Sequence, residues 1–261
     1  MNVAVCVKQI PDQAESMALD PNTHTLVREG KLILDDSDSY GVEMALQLVE
    51  AGGGGDVVLV SMAPNNETSG LRTALAMGAA GAILVSDPAL AGSDALGTAK
   101  VLAAAIRTAD PQPELVLTAT ESTDGYTGTT PVQLAELLGW PSVTFAKHVE
   151  VGDGIVKVRR QTEAGYDEVT CPLPAVVSVT AGVVEPRYPS FKGIMAARSK
   201  PVTELTVSAL GLEASQVGAA GARQQVVSVQ AAEARAGGEI VVDEGDAHER
   251  VVAFLEQIKV L

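Results

Sequence analysis

The sequence is short of several residue types, and each shortage excludes something. Its 261 residues include two cysteines, Cys6 and Cys171, far apart and in apolar surroundings. They form no CxxC pair and no disulfide framework, so the expected setting is a reducing cytoplasm. The three histidines, His24, His148 and His248, are dispersed. No H-E-x-x-H, Cys/His cluster or EF-hand loop accompanies them, and no metal site is expected. One tryptophan, four tyrosines and three phenylalanines are too few for a base-stacking platform. Positive charge is also scarce: 18 Lys+Arg against 33 Asp+Glu leave a net charge of −15. That balance disfavours a general nucleic-acid binder, which needs a basic surface to displace counterions from phosphates. No apolar run approaches the roughly 18 residues of a membrane span. The short run 2–7 lacks a basic flank and a small-residue cleavage site, so a signal peptide is not expected. G-x-S-x-G, Walker A and G-x-G-x-x-G are all missing.

What is abundant is small aliphatic side chain: the chain is 46% hydrophobic, carried by Ala, Val and Leu. Strand-like and helix-like runs alternate through the first 140 residues. Runs 3–7, 56–62, 82–85 and 115–118 read as buried strands. Runs 41–51, 67–77, 94–109 and 132–138 read as helices, the first capped by Asp38 or Ser39 and ended by four consecutive glycines, the last ended by Gly139. This order predicts an α/β fold, a doubly wound mostly parallel sheet. After Trp140, runs 144–151, 154–160 and 166–170 alternate at period two and predict an antiparallel hairpin insertion. Run 174–180 is again apolar and is expected to rejoin the sheet. Residues 182–201 read as irregular and basic. A tail from 202 has weak periodicity and ends in a helix over 246–260. The chain is thus expected to divide into a domain of 1–200 and a C-terminal arm of 201–261, packing on a partner or on its own sheet.

Two segments carry chemistry. The first is the loop TATESTDGYTGTTP at 118–131, after a strand's carboxyl end and before a helix, where open α/β sheets bind ligands. Its small hydroxyls and backbone N–H groups, with Gly125 and Gly128, suit a phosphate held by neutral donors; a plain surface loop is the other reading. Its glycine spacing is close to the nucleotide loop of universal stress proteins, with Gly139 one residue out of register. The second segment is EPRYPSFKGIMAARSKP at 185–201. It concentrates Arg187, Lys192, Arg198 and Lys200 beside Tyr188, Phe191, Ile194 and Met195 in an otherwise acidic protein. Basic residues around an apolar tip predict a docking site for an acidic partner. Asp35, Asp36 and Asp38 precede a helix and read as helix-start chemistry rather than paired catalytic carboxylates.

These segments, with VAVCVKQIPD at 3–12, DPNTHTLVREG at 20–30, RTALAMGA at 72–79, GWPSVTFA at 139–146 and LPAVVSVT at 173–180, resemble the β subunit of electron transfer flavoproteins. The resemblance covers most of the chain and fades after about residue 210. It implies an adenine-nucleotide alpha hydrolase-like sheet and a heterodimer with an α subunit that makes most FAD contacts. It implies an electron carrier without its own catalytic residues, not an enzyme. Such a carrier takes electrons from flavin dehydrogenases, such as the acyl-CoA dehydrogenases of fatty acid oxidation. It passes them to the respiratory chain through a membrane-associated quinone oxidoreductase. A structural AMP would contact Cys6, Asp38, Ser39, Tyr40, Gly41, Met62, Ala119, Ser122, Thr123, Asp124, Gly125, Tyr126, Thr127, Gly128, Thr129 and Thr130. Tyr40 stands where the family places an aromatic near the flavin. The recognition loop, 186–200, would meet dehydrogenases through Arg187, Tyr188, Phe191, Ile194 and Met195, with Phe191 replacing the usual Leu anchor. Gln13 stands where some members have an aromatic. Gln161 stands where some have an acid, for which Glu163 is a substitute. A related branch binds a second FAD in place of AMP and bifurcates electrons. A stand-alone nucleotide-binding sensor, resembling a stress protein, is the alternative from another class.

Overall fold

The computed structural model describes residues 1–12, 14, 18–230, 237–238 and 240–261. They fall into two units, Met1–Val226 and Val227–Leu261. The first unit opens with β1 (Val3–Cys6) and a two-stranded antiparallel ribbon of β2 (Gln9–Pro11) and β3 (Leu32–Leu34). Then come α1 (Asp36–Ala51), β4 (Val57–Ala63), α2 (Ser69–Met77), β5 (Gly81–Ser86), α3 (Ala95–Arg107), β6 (Leu115–Ala119) and α4 (Thr130–Leu138). β7 (Ser142–Gly152), β8 (Ile155–Thr162) and β9 (Gly165–Pro172) follow, then β10 (Ala175–Val179), α5 (Phe191–Ala197), β11 (Val202–Leu205) and the single turn α6 (Gly218–Gly221). The second unit carries α7 (Ala247–Gln257).

Among the described residues the main sheet has nine strands, in the order β11-β5-β4-β1-β6-β10-β7-β8-β9. From β11 to β7 every pair is parallel, and β8 and β9 extend the edge antiparallel. The predicted hairpin insertion is therefore a continuation of the main sheet. Strand alternation explains the two layers of helix. Val3 and Val5 of β1 pack with Val42, Leu46, Leu71 and Leu75 from α1 and α2. Ala4 and Cys6 pack with Val101, Ile106 and Leu134 from α3 and α4. Both faces are covered, so the parallel strands read as continuous apolar runs.

Three elements depart from the sequence reading. Helix α1 begins at Asp36 because Asp35, not Asp38 or Ser39, caps it; the Asp35 carboxylate accepts the Ser37 N–H at 3.0 Å. Residues 191–197, expected to be irregular, form α5, capped by Ser190, whose Oγ accepts the Gly193 N–H at 3.0 Å. Residues 202–205, expected to start the arm, form β11 and pair in parallel with β5. The first unit consequently runs through 226, past the expected boundary at 200.

Candidate functional site

The chain winds from β1 outward through β4 to β5, then crosses back to β6 on the other side of β1. Between β1 and β6 the winding reverses, and open α/β sheets bind ligands at the carboxyl ends of such a pair. A crevice of about 570 Å³ lies there. Its floor is the ends of three strands: Cys6 and Val7 after β1, Met62 and Ala63 at β4, Thr118 and Ala119 at β6. Its walls are loop 120–131, the start of α3 with Ser93, Asp94 and Thr98, and residues 25–28 from the β2–β3 excursion.

The crevice brings together Cys6, Asp38, Met62, Ala119, Ser122, Gly125, Thr127, Gly128 and Thr130 from the expected contacts. It does not bring in Ser39, Tyr40, Gly41, Thr123, Asp124, Tyr126 or Thr129. Ser39 turns its hydroxyl to the Asp36 carbonyl at 2.6 Å. Tyr40 packs on the core. Gly41 lets α1 approach the sheet; a Cβ there would sit 3.4 Å from Val5. Thr123 donates its N–H to Asp35 Oδ2 at 2.7 Å and its hydroxyl at 3.2 Å. Tyr126 is exposed at φ 47°. Thr129 gives its carbonyl to the Gln133 N–H at 3.1 Å in the first turn of α4.

Asp124 has the most consequential placement. Its side chain is 2% exposed and held by two cations, Lys8 Nζ at 2.6 Å and the Arg28 guanidinium. Burial pushes the Asp124 carboxyl up, but Lys8 and Arg28 together outweigh it and the net shift is downward. Lys8 also donates to Ser122 Oγ at 3.2 Å. Asp35 ties the same loop to α1 through Thr123. The loop is thus fixed by carboxylates behind it, leaving its hydroxyls and Gly125 facing the crevice. A Cβ at Gly125 would come 3.1 Å from Ser122 Oγ, inside that cradle.

Lys8, Arg28, Gln9, Ser93, Asp94 and Thr98 line the crevice without having been singled out from the sequence. Lys8 carried a usable signal, since it follows the first parallel strand at its carboxyl end. Beneath these groups Asp38 accepts the Lys8 N–H at 2.6 Å. Burial, then the Asp35 charge, hold the Asp38 carboxyl well above the usual range. Burial, with Asp38 nearby, pushes the Cys6 thiol up to about 12, so it is a neutral, apolar wall group rather than a nucleophile.

The second expected site is assembled differently from its sequence reading. Tyr188 and Phe191 are 93% and 81% exposed, and Ile194 and Met195 are also exposed. Arg187 instead turns inward, bound to Glu43 and Glu50 of α1. Lys200 donates to the carbonyls of Leu75 and Ala79 at the end of α2. Gln161 lies on β8 opposite Tyr166 and Glu163 is exposed in the following turn. Gln13 lies outside the described residues. Among the described residues no helix is long and apolar enough to cross a membrane.

The fold and crevice define an open α/β protein with a crevice at the reversal of its sheet. A model of the Electron transfer flavoprotein domain matches residues 23–210. Over 265 residues the chain is 38% identical to the electron transfer flavoprotein subunit beta of Mycobacterium leprae, covering 100% of this chain and 99% of that one. It is 34% identical to the same subunit of Megasphaera elsdenii, covering 97% and 95%. It is 35% identical to the caffeyl-CoA reductase-Etf complex subunit CarD of Acetobacterium woodii, covering 92% of each. The chain belongs to the electron transfer flavoprotein β-subunit family, a flavoprotein family of electron transfer.

Proposed function

We propose that this chain pairs with an α subunit and helps hold a shared FAD, while its own crevice holds AMP. The FAD, when bound, supplies the redox chemistry. This chain's residues bind and orient rather than move protons: no catalytic acid or base is assigned to them. Electrons arrive from flavin dehydrogenases, such as those acting on acyl-CoA, that dock on 186–200. They leave to a membrane-associated quinone oxidoreductase. Free Cys6 and Cys171 support a reducing, cytoplasmic setting.

The observation that carries this reading is the crevice wall, with hydroxyls on one side and apolar groups on the other. Ser122, Thr127 and Thr130, with the start of α4, offer neutral donors to a phosphate. Met62, Leu90 and Leu102 offer an apolar surface to a purine. A second reading, FAD in this crevice with electron bifurcation, draws support from Lys8 and Arg28. They add cationic groups to the wall that a single phosphate does not require. Denaturing the purified heterodimer and weighing the released nucleotides decides between them. One FAD and one AMP per heterodimer supports the first reading; two FAD and no AMP overturns it. A chain that stays a lone homodimer when mixed with α favours a stand-alone sensor.

A further inference from the structure

The recognition segment is gripped at both ends, at one of them by Arg187, which its composition assigned to a partner. Arg187 directs all three of its guanidinium nitrogens to α1. Its Nε reaches Glu43 Oε2 at 2.6 Å and its Nη2 reaches Glu43 Oε1 at 3.0 Å. Its Nη1 reaches Glu50 Oε1 at 2.8 Å, and even its backbone N–H reaches Glu43 Oε2 at 3.2 Å. The Glu43 side chain is 4% exposed, and Oε1 also accepts from Gln47 at 2.7 Å. Burial raises the Glu43 carboxyl, but the Arg187 bonds outweigh it and the net shift is downward. A planar fork on a buried carboxylate is a geometry that lysine does not reproduce. At the other end Arg72 donates to the carbonyls of Ala197 and Lys200 at 2.7 and 2.9 Å. Between them Gly193 lies so close to α2 that a Cβ would sit 2.4 Å from the Ala76 carbonyl oxygen. Four large apolar side chains are nevertheless held out in solvent between these anchors.

We propose that Arg187 is a positioning residue: clamped on Glu43 and Glu50, it holds segment 186–200 in a preformed shape that presents Tyr188, Phe191, Ile194 and Met195 to a flavin dehydrogenase. The inference rests on the docking role proposed above. Its physical content is preorganisation, in which a segment ordered before contact loses less entropy on contact. Arg187 thus serves the partner by facing away from it.

The test uses the purified heterodimer and an acyl-CoA dehydrogenase reduced by its acyl-CoA. Arg187→Met is expected to raise the KM for that dehydrogenase roughly fivefold, by the ordering cost of a few side chains, with kcat changing less. Glu50→Gln, which leaves the arginine and the buried Glu43 in place, shifts KM the same way by less. Arg187→Lys recovers part of the loss. In the free heterodimer, amide exchange over 188–197 speeds up in Arg187→Met while that of β1 does not. A raised KM without faster exchange assigns Arg187 to direct partner contact and overturns the clamp. Phe191→Asp, run alongside, separates the two claims. If it raises KM while Arg187→Met changes neither KM nor exchange, the clamp falls and docking stands. If Phe191→Asp leaves KM unchanged, the docking role falls, and the clamp as proposed falls with it.

Discussion

At the scale of residues, Asp38 in the crevice and Asp124 in its loop are two carboxylates with opposite electrostatics. Asp124 is drawn down by two cations, whereas Asp38 is pushed up by burial and by Asp35. Their contributions to stability therefore run in opposite directions with pH. The stabilisation from Asp124 is present above the ordinary carboxyl pKa and lost as pH falls through its depressed value. Asp38 keeps its proton in the folded chain after the unfolded chain has released it, so the folded state binds more protons. Stability then falls as pH rises from the ordinary carboxyl value toward the raised one. The slope for one such proton is about 1.4 kcal/mol per pH unit. Asp38→Asn keeps an acceptor for the Lys8 N–H and removes the titration. Urea unfolding of the nucleotide-free chain at about pH 5 and about pH 7 is expected to show the variant gaining on the parent as pH rises. Parallel pH profiles would show that Asp38 is already ionised in the fold.

At the scale of elements, α5 and α2 approach through Gly193, and here two physical effects predict opposite signs. Helix propensity alone has Gly→Ala stabilising a helix interior by about 1 kcal/mol. The contact with the Ala76 carbonyl predicts the reverse, because backbone on both sides must move, at about 1–3 kcal/mol. Gly193→Ala is therefore expected to lower the urea midpoint and to loosen 188–197; a raised midpoint would show that α5 has room to spare. The same element shows where the sequence stopped being legible. Strands β1, β4, β6 and β10 announced themselves as short, mostly aliphatic runs, since burial on both faces favours apolar side chains at successive positions. Helix α5 has seven residues, of which only Ala197 is buried, so periodicity had nothing to register. Edge strand β11 has four residues, two exposed between two half-buried ones, so period two has nothing to show. Ribbon strands β2 and β3 have three residues each and pair across a long excursion. The crevice loop was legible from its hydroxyls and its place after a strand. The division of labour within it was not: nothing in TESTDGYTGTTP distinguishes Ser122, which lines the crevice, from Asp124, which does not and instead grips Lys8 and Arg28. That distinction depends on residues more than 90 positions away.

At the scale of the whole molecule, the two units differ in what they bury. The residues of both apolar clusters lie within Met1–Val226. Helix α7 in the second unit has no buried residue. Its Val251 and Phe254, with Ile258 at the C-cap, are spaced at three and four residues, the interval of one helical face, and all three are exposed. Each such side chain gains about 1.5–3 kcal/mol when it leaves water, so a stripe of this kind is stable against a partner surface rather than alone. The α subunit is the occupant that the proposed heterodimer supplies. A chain ending at Val226 should accordingly keep its urea midpoint and its nucleotide, because it retains the clusters and the crevice. It should bind α at least about tenfold more weakly, which corresponds to about 1.4 kcal/mol, well below the full transfer energy because association and ordering offset most of it. Urea unfolding of the truncated chain checks the first expectation, and its sedimentation with and without α checks the second. A truncated chain that fails to fold would make 227–261 part of the core, and one that binds α at full strength would leave the exposed face of α7 to some other surface.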